Sequence, residues 1–334
     1  MQKIFITGVA GFLGSHLADK FLELGYQVAG NDILIGGYLT NVNSAVEFYN
    51  VDCCDFDAMK NAVAGSDIVI HAAATAYEGL SVFSPSFVTR NIFEATSTTI
   101  SAAIANKVKR FVFCSSMARY GNQPGPFTED MQKQPVDPYG IAKAAAEDLL
   151  VNLATVHGME WNIAVPHNIV GPRQKYDDPY RNVMSIMINR NLRQLPALIY
   201  GDGEQKRCFS YIDDCIYCLV QLATDRNISS EIVNIGPDEE FITINRLAEL
   251  VAIETGMTEE FIYMPSRPQE VKIAVCSSDK ARKLLGYKTS TSLKAAIRKT
   301  VNWIEETGPQ EFDYRLPIEI DTPLTPMTWK NKLI

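Results

Sequence analysis

Over the first half of the chain, short apolar runs alternate with stretches of helical period. Ile4–Ile6 reads as a strand. Gly14–Leu24 reads as an amphipathic helix, with Leu13, Leu17, Phe21 and Leu24 on one face. Gln27–Asn31 is a second strand. Asp67–His71 is a third apolar run, Ile-Val-Ile held between polar residues. Thr89–Asn106 has a helical pattern and Arg110–Cys114 a strand pattern. A long helix over Tyr139–His157 and a strand over Asn162–Pro166 follow. Strands alternating with helices in this way predict a parallel sheet covered on both faces.

After Pro172 the regular alternation is lost, and Pro, Gly and Tyr become frequent. Helical patterns recur at Val183–Arg193, Ile212–Ala223, Ile244–Thr255, Asp279–Leu285 and Leu293–Thr307. Glu231–Ile235 reads as a strand able to rejoin the first sheet. From Pro309 the chain is Pro-rich and nearly aperiodic, which predicts extended structure packed on the surface. At ~150 residues per domain, 334 residues make roughly two domains, or one large α/β domain with a lobe. We expect a first domain over 1–172, rejoined by about 207–240. Residues 173–334 then form mainly a second lobe, with an extension from about 309.

Composition narrows the class. Hydrophobic residues at 46% and charged residues at 21% exclude a disordered or collagen-like chain. A net charge of −8 argues against a general binder of nucleic acid or anionic membranes, so an anionic ligand needs a few specific cations. Seven scattered cysteines fit reduced thiols better than a disulfide framework. Cys215 and Cys218 form a C-x-x-C inside an apolar helical stretch without a second Cys/His pair. They read as small buried hydrophobes, and no metal is expected. The chain opens directly on a strand pattern and has no apolar run of ~18 residues. A cytoplasmic protein is the expectation, with no export and no membrane partner.

Candidate chemistry begins at Thr7-Gly8-Val-Ala-Gly11-Phe-Leu-Gly14, between the first strand and the first helix. Glycines there let backbone N–H groups approach a pyrophosphate, and the helix N-terminus adds positive potential. Asp32, 18 residues after Gly14 at the end of the second strand, is placed to bind ribose hydroxyls. An acid there repels a 2′-phosphate, so NAD is favoured over NADP. Tyr139 and Lys143, four apart, share a helix face. Of 14 tyrosines only this one has a Lys four residues on. The ammonium is expected to lower the phenol pKa, making Tyr139 a proton carrier. Ser116, at a strand end, can hydrogen-bond the reacting oxygen; Ser115 competes for that role, and Cys114 is expected to pack inward.

The G-x-x-G-x-x-G spacing resembles the extended short-chain dehydrogenase/reductases of the NAD-dependent epimerase/dehydratase group. Further matches carry the resemblance almost to the end of the chain: Val51-Asp52, His71-Ala72-Ala73-Ala74, Asn91, Phe113-Cys-Ser115-Ser116, Tyr139-x-x-x-Lys143 and Gly201-Asp-Gly203…Arg207-Cys-Phe-Ser-Tyr-Ile-Asp213-Asp214. The resemblance implies a Rossmann-type doubly wound parallel sheet (α/β) with a smaller mixed α/β C-terminal substrate-binding lobe. It implies NAD contacts at Gly8, Gly11, Phe12, Leu13, Gly14, Asp32, Asp52, Cys53, Ala72, Ala73, Ala74, Asn91, Tyr139, Lys143 and Pro166. The catalytic set it implies is Ser116, Tyr139 and Lys143, with Ser116 five residues before the Gly of Tyr120-Gly121.

Family dehydratases carry Asp-Glu after the catalytic Ser/Thr, and the decarboxylases a Glu. Here Met117-Ala118 stands there, and neither titrates. The sequence around His167 and Phe209–Cys215 also resembles GDP-mannose 3,5-epimerases, but their Cys acid/base position is Ala118. The chemistry left is oxidation and reduction at one carbon: a nucleotide-sugar 4-epimerase of UDP-hexose or UDP-N-acetylhexosamine type. A 4,6-dehydratase or 3,5-epimerase drawing an acid from Glu78 or Lys175 stays open, as does a more distant non-catalytic NAD-binding regulator.

For the substrate, the family pattern assigns Arg207 and Arg267 to a diphosphate, for which Arg is suited by its bidentate geometry. A lone Arg is ordinarily solvated or salt-bridged, so only the position supports contact. The pattern also assigns Ser116, Tyr139, Asn168, Asn182, Val183 and Tyr200 to the substrate. Tyr77 and Glu78 follow the alanine run; sugar contact and a plain loop role are both open. Ala274, seven after Arg267, matches a pocket position where a small residue leaves room for an N-acetyl group. Val165, Arg119, Val170 and Gln269 depart from the usual pattern. Family members dimerise through the helices matching 89–106 and 139–157, so a homodimer is expected.

Overall fold

The computed structural model describes residues 2–334 except Glu259, Gln269 and Glu270. The departure at Gln269 therefore lies outside the described residues. Six strands follow the chain order of the sequence: β1 (Lys3–Thr7), β2 (Gln27–Asn31), β3 (Glu47–Tyr49), β4 (Ile68–His71), β5 (Arg110–Cys114) and β6 (Glu160–Pro166). With the strand Glu231–Ile235 they form one sheet, whose order is β3, β2, β1, β4, β5, β6, Glu231–Ile235. Every pairing in it is parallel. This is a Rossmann-type α/β fold. The strand order reverses between β1 and β4, and ligands of open α/β sheets bind outside the carboxyl ends of the strands at such a point.

Alternation along each strand separates two cores. Ile4, Ile6, Ile68, Ile70 and Val112 face one side, with Leu17 and Phe21 of the helix Phe12–Glu23 and Cys215 and Leu219 of Ile212–Thr224. Phe5, Val69, Phe111 and Phe113 face the other, with Ile100 and Ala103 of Ala95–Ala105 and Leu150 and Ala154 of Pro138–His157. Cys215 and Cys218 lie fully inside the first core. Phe111 is wholly buried, and cutting such a ring to Ala costs about 3–5 kcal/mol.

Register then places the chemistry. Thr7 lies opposite both Asn31 and His71, His71 opposite Phe113, and Cys114 opposite Ala164. The residues that follow these strand ends (Gly8, Asp32, Ala72 and Ser115), with Pro166 closing β6, therefore emerge along one edge. The helix Pro138–His157 starts there because Asp137 accepts the Gly140 N–H at 2.8 Å and Pro138 opens the first turn.

The helix read as starting at Thr89 begins four residues earlier, at Pro85, and widens into a π-turn over Arg90–Glu94 before Ala95–Ala105. The strand Glu47–Tyr49 and the helix Phe56–Ala62 escaped the pattern because three and seven residues are too few to establish a period. The second half adds small pairings: Ala197–Tyr200 with Phe261–Met264, Lys206–Arg207 with Ile242–Thr243, and Ile169–Val170 with Ser210–Tyr211. The tail from Pro309 stays irregular up to a single helical turn, Met327–Lys330. It is not merely laid on the surface, since Phe312 and Trp329 are buried in it. Among the described residues no helix is long and apolar enough to cross a membrane.

Candidate active site

An open cleft of about 460 Å³ runs along the carboxyl ends of the strands, a size suited to a bound small molecule. At one end lies the turn after β1. Gly8 has φ +69°, and a Cβ on it would fall 2.9 Å from the Ala73 Cα. A Cβ on Gly14 would fall 2.1 Å from the Gly8 carbonyl oxygen, so the helix can approach the strand only without one. The helix Phe12–Glu23 has no side-chain cap and no acid in its first turn, which leaves its N–H groups for a ligand.

Asp32 Oδ2 accepts the Ala10 N–H at 3.0 Å and Oδ1 the Leu34 N–H at 2.7 Å. Burial raises its pKa above the ordinary carboxyl value, and the backbone donors pull it back down. Asp52 accepts the Cys54 N–H at 2.9 Å and pairs with Arg90 at 3.1 Å. Asn31, on the cleft wall between them, sends its amide to the Val51 carbonyl at 2.8 Å and leaves a buried Oδ1 without a donor. These features fit the adenosine and pyrophosphate of a dinucleotide.

Behind the alanine run, His71 joins β4 to its neighbours. Thr96 donates to the Ile92 carbonyl at 2.6 Å, so it accepts from His71 Nε2–H at 3.0 Å. Nδ1 is then the acceptor for the Thr7 hydroxyl at 2.8 Å, and Thr7 Oγ1 accepts the Ala73 N–H at 3.1 Å. Burial lowers the His71 pKa to about 3, with Lys143 adding to the effect, so the ring is neutral. The chain of bonds fixes the loop beneath which Gly8 passes.

Tyr139 and Lys143 meet the cleft at its middle. Tyr139 is 5% exposed, and of the side chains around it Ser116 does most to favour its ionised form. Lys143 does not act on the phenol as the four-residue spacing led us to expect. Its Nζ donates to the Cys114 carbonyl at 2.7 Å and lies 4.8 Å from the Phe113 ring centroid. Burial is the dominant influence on both groups: it pushes the Tyr139 pKa up and brings that of Lys143 down to about 8. Ser116 and Arg181 lower the phenol pKa, while Glu78 raises it. Ser115 points away, to Glu147 one turn beyond Lys143, and Glu147 sits 3.3 Å from the buried Arg119. Of the two serines, Ser116 is the one that meets the phenol.

The other end of the cleft is lined by side chains from distant segments. Tyr77, Asn168, Asn182, Val183, Tyr200, Arg207 and Arg267 are all on its wall, as are Phe12, Leu13, Gly11, Asp52, Cys53, Ala72, Ala74, Asn91 and Pro166. Asn182 holds a left-handed conformation, φ +65°, at the start of the helix Val183–Leu192. The Arg207 guanidinium donates to the Val271 carbonyl at 2.7 Å, and that of Arg267 lies 4.5 Å from the Tyr200 ring centroid. Tyr77 donates to the buried Asp178 at 2.7 Å.

Two expected residues are elsewhere. Ala274 packs half-buried against the second core and is not on the cleft wall, because its segment runs alongside Phe127. Lys175 is also off the wall: it is buried and bonded to Asp177 at 2.8 Å, so it is not an available acid. Conversely, sequence reasoning missed Arg181. Its guanidinium lies 5.1 Å from the Tyr77 ring centroid and faces the cleft as a third arginine. Its one sequence signal was its place directly before Asn182. Ile334 was missed as well, and the aperiodic tail gave no hint of it.

A model of the NAD dependent epimerase/dehydratase family matches residues 4–236. A putative UDP-glucose 4-epimerase of Methanocaldococcus jannaschii is 33% identical, over 91% of this chain and 99% of its own. The structure of UDP-glucose 4-epimerase from Thermotoga maritima with UDP-glucose superposes with a TM-score of 0.87 at 31% identity, covering 92% of this chain and 99% of that one. UDP-glucuronic acid 4-epimerase from Bacillus cereus, in complex with UDP-glucuronic acid and NAD, gives 0.85 at 30% identity, covering 92% and 100%.

Proposed function

The chain belongs to the NAD-dependent epimerase/dehydratase family, and we propose a division of labour among its residues on that premise. It is an NAD-dependent nucleotide-sugar 4-epimerase, an isomerase that passes through a transient 4-keto sugar. Two lobes serve this reading: the sheet of residues 1–172, with 207–240 returning to it, and the remaining substrate-side segments. The pairing of Glu231–Ile235 with β6 supports that division.

The Gly8–Gly14 turn, Asp32, Asp52 and the alanine run would hold NAD, which would supply reversible hydride exchange with the sugar and a positive charge favouring the Tyr139 phenolate. Tyr139 takes the proton of the sugar 4-OH and later gives it back. Ser116, on the cleft wall with Tyr139, steadies the same oxygen. Lys143, anchored on the Cys114 carbonyl, supplies positive charge beneath the site and fixes the helix against β5. Arg207, Arg267 and Arg181 hold the anionic end of the nucleotide sugar, which answers how a chain of net charge −8 binds it. Positioning the sugar over one acid–base pair, on either face, is the catalytic task.

The observation that carries this reading is the Tyr139–Ser116 pair with no titrating side chain at Met117 or Ala118 beside it. Among the described residues, the side-chain carboxylates on the cleft wall are Asp32, Asp52 and Glu78, two of them at the dinucleotide end. Purified protein incubated with UDP-, GDP- and dTDP-sugars in D₂O is the test, read by NMR. Interconversion at C4 without deuterium uptake at C3 or C5 supports the epimerase. Loss of water from the sugar, or exchange at C3 or C5, replaces it with a dehydratase or 3,5-epimerase using Glu78.

A homodimer through the helical faces of 89–106 and 139–157 completes the proposal. Exposed Phe93 and Ile141, at 40% and 54%, support it. Sedimentation of the purified protein distinguishes dimer from monomer. Seven free cysteines favour a reducing compartment such as the cytoplasm.

A further inference from the structure

The tail runs with little regular structure, yet it is tied down at many points. Phe312, Trp329 and Ile334 belong to the same buried cluster as Tyr77, Tyr139, Tyr180 and Leu198. The Trp329 indole N–H donates to the Pro179 carbonyl at 3.2 Å, and its ring meets those of Tyr180 and Phe83 at 5.3 and 5.9 Å. A Cβ on Gly79 would meet Trp329 at 3.5 Å and the Arg267 guanidinium at 3.8 Å, so Trp329 backs the Gly79 loop where Arg267 reaches it. Thr328 and Tyr200 share a hydrogen bond at 2.5 Å, and Tyr200 is the ring beneath Arg267. Upstream, the Glu319 carboxylate accepts the Ser86 and Phe87 N–H groups at 2.9 and 2.8 Å. It caps a helix that Ser84 leaves uncapped.

Gly79, Pro179, Tyr180, Tyr200 and Arg267, the residues these contacts hold, all line the cleft, and all belong to its substrate end. Ile334 is itself on the wall. No tail residue has a hydrogen bond or ring contact with the Gly8–Gly14 turn or with Asp32 among the described contacts. The curated relatives named above match about nine-tenths of this chain over nearly their whole length, so part of it has no counterpart in them.

We propose that the segment Phe312–Ile334 is a specificity-determining wall of the substrate site. It acts directly through the aliphatic side chain of Ile334 and indirectly through Trp329 and Thr328, which set the positions of Tyr180, Tyr200 and Arg267. This rests on the nucleotide-sugar reading of the cleft. An aliphatic wall selects by volume, since a methylene more or less in an apolar pocket changes discrimination roughly 10- to 200-fold.

The test measures dissociation constants of the full-length protein for NAD, UDP-glucose and UDP-N-acetylglucosamine by calorimetry. The variants are Ile334→Ala, Trp329→Phe and, as control, Leu324→Ala, whose side chain is 69% exposed in the same segment. Ile334→Ala and Trp329→Phe are expected to weaken UDP-glucose binding at least fivefold and to leave NAD within twofold. Ile334→Ala is also expected to change the ratio of the two sugar-nucleotide affinities at least threefold. Leu324→Ala changes none of these. Sugar-nucleotide affinities that stay within twofold in both variants overturn the proposal, and so does a loss of NAD affinity equal to that of the sugar nucleotide. A protein that binds these sugar nucleotides but never interconverts them breaks the epimerase reading and leaves this test in force. A protein that binds neither of them overturns both.

Discussion

The two ends of the cleft are built differently. The end proposed for the dinucleotide is mostly backbone: a glycine turn, a bare helix N-terminus and alanines brought together by the register of parallel strands. The end proposed for the substrate is mostly side chain: three arginines, three tyrosines and a tail that braces them, drawn from positions 77 to 334. A backbone site tolerates little added volume and depends on local sequence. A side-chain site tolerates substitution and is re-tuned by whatever packs behind it. Tyr139 sits where the two ends meet.

The largest effect is expected at that junction. Tyr139→Phe should lower kcat about 10³-fold while NAD affinity is kept, since acid–base groups contribute in this range. Equilibrium binding beside turnover checks it, and full activity in the variant would sink the mechanism. The next bears on the dinucleotide end. The folded-state pKa of His71 lies near 3 against 6.5 when unfolded. Its contribution is complete above pH 6.5 and is lost as pH falls through 3, up to about 5 kcal/mol. Denaturant melts across pH 7 to 4 should show the loss, and His71→Asn should flatten that part of the profile. An unchanged profile removes His71 as its cause.

Smaller effects separate the ends most directly. Arg207→Ala should raise KM for the nucleotide sugar by about 1.5–3 kcal/mol, tenfold or more, and spare NAD affinity. Equal losses for both ligands would erase the distinction between the ends. Gly14→Ala should do the reverse. Its Cβ would meet the Gly8 carbonyl at 2.1 Å, costing about 1–3 kcal/mol of stability and weakening NAD above all. A thermal melt with and without NAD reads both quantities.

Legibility follows the same division. The glycine turn, Asp32 and the Tyr139/Lys143 pair were visible because each depends on neighbours in sequence or on one helix face. The phenol was a harder case: four-residue spacing suggested that Lys143 lowers its pKa, whereas burial dominates and Lys143 is spent on the Cys114 carbonyl. Ala274 was misplaced because counting from Arg267 assumes a loop path, and here the segment follows Phe127. Ile334 gave no signal, and Arg181 only its place directly before Asn182. Their presence in the cleft depends on how the second lobe packs, and no periodicity encodes that.

Sequence alone determined the parallel sheet, the glycine turn after the first strand and the shared helix face of Tyr139 and Lys143, because hydrophobic period, glycine placement and helix spacing are local quantities. Tertiary structure alone decided which serine meets Tyr139, what holds Lys143, and that the tail reaches the substrate wall. Those outcomes depend on burial and on contacts between residues more than a hundred positions apart, such as Trp329 with Pro179. Such contacts exist only once the chain has packed.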